Sequence, residues 1–233
     1  TLVGLLRTRL GTSGDGTFDA TRIDELLRDA GCAGPLLARL SGDHVDEVFV
    51  AAPGDCVWMR GEDNAARGLR LRGRPMSELF PAGDSDLGAD AWLPLLEDGN
   101  VVGKPTAGPR FWSWKRYSEW LANDAPWPHS EKETGIGDFD RERRTHVAIE
   151  PETFTAADGE LFATEGVRFS RRAHHEGDVR GAATRWALLA RAKLPERGVL
   201  ERGLVTLGGE RSTAFLETHP KLELATPTGI TGL

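Results

Sequence analysis

Apolar and polar residues alternate at period two in several short, separated stretches of this chain. Such a stretch forms a strand when one of its faces must leave water. In 143–150, Thr145, Val147 and Ile149 share one side, with His146, Ala148 and Glu150 on the other. In 45–51, Val45, Glu47 and Phe49 lie opposite Asp46, Val48 and Val50, which predicts a strand with one mostly buried face, stopped by Pro53-Gly54. Residues 56–60 are placed to pair with it as a hairpin. A turn over 151–159 leads to 161–164, and then Val167 and Phe169 alternate with Arg168 and Ser170. Residues 186–194 and 212–216 add further strands, the latter after the turn Gly208-Gly209. Helical spacing is confined to three windows. Leu2, Leu5, Leu6 and Leu10 share one helical face, as do Ile23, Leu26 and Leu27 in 19–30, which Thr21 is expected to cap and Gly31 to stop. Ser113 is expected to cap the third, which carries Trp114, Tyr117, Trp120 and Leu121. Strands dominate without regular strand-helix alternation, which predicts an α+β chain rather than a doubly wound sheet.

The chain has 233 residues, 39% hydrophobic and 28% charged, a balance that excludes a fibre, a coiled coil or a disordered tail. No apolar run approaches the roughly 18 residues that cross a bilayer. The opening Thr1-Leu2-Val3-Gly4 lacks the basic segment and cleavage site of a signal peptide, so the expected location is the cytoplasm. Cys32 and Cys56 are too few for a disulfide framework or a four-thiolate metal site, and are read as reduced packing residues.

A net charge of -7 argues against indiscriminate coating of nucleic acid. Within that average, 166–211 holds ten Lys or Arg against five acids, and 24 of the 29 cations of the chain are Arg. Arginine suits bidentate phosphate contacts and stacking on bases; a GC-rich coding sequence raises arginine equally well. Between 61 and 108 glycine, proline and charge increase and periodicity is lost. This reads as a long irregular insertion with acids at Asp84, Asp86, Asp90, Glu97 and Asp98. Trp127 between Pro126 and Pro128 marks a linker, which divides the chain into 1–128 and 129–233.

Several motifs fail on their chemistry. In Gly99-Asn100-Val101-Val102-Gly103-Lys104 the phosphate-loop spacing is one residue short, and Pro105 stands where a magnesium-binding hydroxyl is needed. His174-His175-Glu176 with Asp178 lacks the spacing of a metal site, because adjacent side chains on an extended backbone point apart. Gly208-Gly209-Glu210-Arg211 has an arginine where two-metal chemistry needs a second acid. That turn is either an ordinary hairpin connection or a place where backbone N–H groups and Arg211 meet a phosphate. The tryptophans at 112, 114, 120 and 127 could stack bases, but helical spacing favours core packing.

Three stretches together resemble a known family. Residues 143–151, with Thr153, the run 155–162 and Thr164-Glu165, are similar to the central strand-turn-strand segment of RAMP subunit three of the Cmr (type III-B) CRISPR effector. The opening 1–8 resembles that family's first helix, and 207–211 its glycine-rich loop. The resemblance implies two ferredoxin-like, RRM-type folds and a non-catalytic role, with no cofactor or metal. It implies contact with the 5′ tag of the CRISPR RNA, docking on the large polymerase-like subunit beside the backbone RAMP subunits, and no membrane. On residues it points to Arg7, Gly208, Gly209 and Arg211, to which charge and exposure add Arg143, Arg144 and His146. Members carry a strand before the first helix and more chain after the loop, so both folds are expected to be incomplete at the chain ends. Ser212 also stands where a second Arg is common. Three alternatives stay open. One is a metal-independent RAMP endoribonuclease with His146, His44 or His174 as general base; another is the equivalent subunit of a type III-A complex; the third is a purely structural subunit.

Overall fold

The computed structural model describes residues 2–13, 16–21, 23, 31–79, 90–96, 103–122, 127–139, 141–171, 184–194, 200–207, 212–219 and 222–225. In chain order the elements are α1 (Leu2–Gly11), β1 (Gly31–Ser41), β2 (His44–Ala51), β3 (Cys56–Arg60), β4 (Ala66–Pro75), α2 (Met76–Leu79), β5 (Trp92–Leu96) and β6 (Lys104–Thr106). They continue with β7 (Phe111–Ser113), α3 (Trp114–Ala122), α4 (Glu131–Thr134), β8 (Gly135–Ile136), β9 (Arg141–Ile149), β10 (Ala156–Val167), β11 (Ser170–Arg171), β12 (Thr184–Lys193), β13 (Gly203–Leu207) and β14 (Ser212–Leu216). The expected α+β class is what is found, with strands in the majority. None of the described helices is long and apolar enough to cross a membrane.

The chain forms two compact units. Residues 1–38 and 187–226 make one, and 39–186 with 227–233 make the other. In the first, α1 buries Leu5 and Leu10, and it ends on Gly11 because Ile23 packs there. A side chain at position 11 would reach 2.6 Å from Ile23 Cγ1 and 3.0 Å from Phe18 Cε2. In the next helix Ala20 is already helical, and the Thr21 N–H donates to Asp19 Oδ1 at 2.9 Å. Asp19, not Thr21, is the cap, since a cap accepts from the second or third helical N–H. Residues 22 and 24–30 lie outside the described residues. β13 and β14 form an antiparallel hairpin running from Gly203↔Leu216 to Leu207↔Ser212.

In the second unit β3 does not pair with β2. It lies in a four-stranded sheet of order β5-β4-β3-β6, while β2 pairs with β7, Phe49 opposite Ser113. Val48 and Phe49 are both buried, so the centre of β2 is covered on two faces rather than one. The stretch read as an irregular insertion supplies β4, β5 and β6. Its alternation, Leu69 and Leu71 against Arg70 and Arg72, is disguised because an arginine stem behaves as apolar surface. Arg70 shows this directly, with its guanidinium 4.2 Å over the Trp120 ring and donating to the Trp120 carbonyl.

The core of this unit is aromatic. Trp58, Trp112 and Trp120 are buried together, with Trp127 stacked on Trp112 at 5.1 Å and 22°. The Trp120 indole N–H donates to Asp55 Oδ1 and the Trp127 indole N–H to Thr134 Oγ1, each at 3.0 Å. Ser113 caps α3, its Oγ accepting the Arg116 N–H at 3.3 Å. Trp112 and Trp120 are therefore core and Trp127 packs against them, which agrees with the core reading of the tryptophans, while Trp114, on whose helical spacing that reading rested, is half-buried and leans on Tyr117. Burial beside Asp55 pushes the Cys56 thiol up to about 12, so it stays protonated. Cys32, by contrast, is exposed and is not the packing residue expected of it.

Candidate nucleic-acid interface

β9 and β10 form a two-stranded antiparallel ribbon with most residues of both faces exposed. Register follows from the alternation, with Arg143 opposite Glu165, Arg144 opposite Thr164, His146 opposite Phe162 and Val147 opposite Leu161. Paired residues share a face, so one face carries Arg141, Arg143, Thr145 and Val147, and the other Glu142, Arg144 and His146. On the second face the His146 ring stacks on Phe162 at 5.3 Å and 17°, with its Nε2 2.8 Å from Thr164 Oγ1.

At the base of the ribbon lies an open cleft of about 640 Å³, lined by Glu142, Arg144, Val167, Arg168, Phe169, Arg185 and Trp186. The β11–β12 pairing sets Ser170 opposite Arg185, and the Trp186 N–H donates to the Phe169 carbonyl at 2.9 Å, which fixes the two aromatic residues side by side. Behind them Phe139 stacks on Phe169 at 6.3 Å and meets Trp186 edge-on at 5.2 Å. Three guanidiniums therefore line a cleft with an aromatic wall.

The charge states are fixed by local partners. Arg144 Nε donates to Glu142 Oε1 at 3.1 Å, and this bond holds the Glu142 carboxyl below its ordinary 4.5 and raises Arg144. Arg185 donates to the Gly42 carbonyl at 3.2 Å and to Asp43 Oδ1 at 3.4 Å, which steadies its long side chain. Beside the cleft, partial desolvation of Asp138 is outweighed by the Phe139 N–H, Arg110 and Arg141, so its carboxyl lies below 3.8. Arg141 is raised, first by its bond to Glu165 at 2.7 Å. The lining thus offers guanidinium donors beside one carboxylate held below its ordinary value. It can hold a phosphate bidentately and offer a ring to a base.

Of the described residues singled out from sequence as candidate site residues, the structure brings only Arg144 to this cleft. Arg143 lies on the opposite ribbon face, and His146 lies further along the same face as Arg144. Arg7 is exposed on α1 in the other unit. Gly208, Gly209 and Arg211, in the β13–β14 connection, lie outside the described residues, as does His174. Arg168 and Arg185 were passed over. The signal for them was the basic excess of 166–211 together with the alternation of Arg168 with Val167 and Phe169. Among the described residues no group of three or more His, Cys, Asp or Glu is placed to hold a metal ion.

A family model described as CRISPR-associated protein (Cas_Cmr3) matches residues 1–228. No curated protein and no solved structure matches this chain. The match covers nearly the whole sequence, and the chain belongs to that family, the Cmr3 subunits of the type III-B CRISPR effector.

Proposed function

We propose that this member of the Cas_Cmr3 family is a non-catalytic, RNA-holding subunit of its effector complex. In this reading it grips the 5′ tag of the CRISPR RNA and docks on the large polymerase-like subunit, on a frame of two ferredoxin-like RAMP folds. The observation that carries RNA holding is the cleft in which Arg144, Arg168 and Arg185 converge on an aromatic wall. Phosphates of a single strand are held by such guanidiniums largely by shape and charge, and rings such as Phe169 and Trp186 accept a base of any identity.

The reading is tested by titrating fluorescent 5′-tag RNA with the purified chain, and with Arg144→Ala and Arg168→Ala, in buffer containing EDTA. Each substitution is expected to weaken binding roughly tenfold, about the worth of one lost charge-assisted contact, and the RNA to emerge intact. Unchanged affinity in both variants would remove the cleft from the interface. Cleaved RNA would place the chain with the metal-independent RAMP nucleases instead.

A further inference from the structure

The β9–β10 ribbon has a second end, opposite in chemistry to the cleft. Residues 150–160 carry Glu150, Glu152, Asp158 and Glu160 and no Lys or Arg, whereas at the other end Arg141, Arg143, Arg144 and Arg168 outnumber the paired acids Glu142 and Glu165. A phosphate strand seated at the basic end is repelled from the acidic one.

Phe154 stands at the acidic tip, 83% exposed. Its φ of 56° is a left-handed conformation that a bulky side chain keeps only where its surroundings hold it. They do so here: the Phe154 N–H donates to the Glu150 carbonyl and the Glu150 N–H to the Thr155 carbonyl, both at 2.9 Å. The Thr153 and Thr155 hydroxyls bond each other at 2.8 Å. The ring is thus presented outward from a bonded turn. Beneath it Leu161, 71% exposed, pairs with Val147, and Ile149 continues that apolar face. An apolar strip ending in a fixed aromatic residue is a surface built to be covered, and its acidic surroundings specify the charge of what covers it.

We propose that this tip docks into a neighbouring protein subunit, with Phe154 seated in an apolar pocket whose rim carries Lys or Arg. The tip and the cleft use different residues, so either assignment can fail without the other.

The test assembles the effector complex by co-expression with its protein subunits and CRISPR RNA, with the photoreactive analogue p-benzoylphenylalanine in place of Phe154. Irradiation is expected to join this chain covalently to a second polypeptide, and reversing the charges with Glu152→Lys and Asp158→Lys to cut that yield several-fold. A separate titration of Phe154→Ala is expected to leave the affinity of the isolated chain for 5′-tag RNA within about twofold. A crosslink to RNA would overturn the proposal. So would a protein crosslink no stronger than from the same probe at Glu62, which is exposed in the β3–β4 turn, or a tenfold loss of RNA affinity in Phe154→Ala.

Discussion

At the scale of single residues, the Glu142 carboxylate occupies the Arg144 guanidinium that the proposed reading gives to a phosphate. Their 3.1 Å bond is exposed, and in the proposed reading RNA loosens it or shares it. Glu142→Gln removes the anion from the cleft and releases Arg144. Affinity for 5′-tag RNA is expected to rise roughly three- to tenfold at low salt, and the gain to shrink as salt screens it; a titration at two ionic strengths reads both. A loss of affinity would show that the carboxylate positions Arg144 productively. Arg144 was legible in the sequence from its charge and expected exposure at the start of a strand. Arg185 was not, because its place in the cleft follows from the pairing of its strand with the preceding strand β11, which periodicity within one strand does not encode.

Elements tell a similar story. The β9 alternation and the Ser113 cap could be read directly, because both are local rules of spacing. β4 was missed because four arginines among its ten residues looked like solvated charge, whereas the stem and ring-facing guanidinium of Arg70 pack against the tryptophan cluster. The same cluster sets the tolerance of the loop before β7. A Cβ at Gly108 would run into the Trp58 indole, and Trp58 is buried against Trp112. Gly108→Ala is expected to cost about 1–3 kcal/mol, the usual penalty for overpacking a close-packed site. Urea unfolding measures it, and an unchanged midpoint would mean that the indole can move aside.

At the level of the whole molecule, four carboxyls among the described residues share a sign of shift. Glu133, Asp138 and Glu142 are held low, and in Glu119 the rise from burial is outweighed by its bond to Arg116. A carboxyl lowered on folding contributes stability that is fully present above its unfolded value and disappears as pH falls through its folded one. Those unfolded values are 4.5 for Glu and 3.8 for Asp. The urea midpoint should therefore be insensitive to these groups from pH 7 to about pH 5 and should fall progressively below pH 4.5. A midpoint unchanged down to pH 3 would contradict the ion pairs described here. Membership of the Cas_Cmr3 family was legible from three motifs, since a family pattern is carried by residues in order. The cleft was not, because it is assembled from β9, the β10–β11 connection and β12 only when the second unit folds.

The central claim is that Arg144, Arg168 and Arg185 together neutralise phosphates of a single RNA strand, and salt dependence tests it most directly. Each such contact contributes about 0.7 to the slope of log affinity against log salt for a single strand. The triple alanine variant should therefore bind 5′-tag RNA with a slope shallower by about 2, while circular dichroism shows its fold unchanged. A slope equal to that of the unsubstituted chain would place the RNA elsewhere on the molecule.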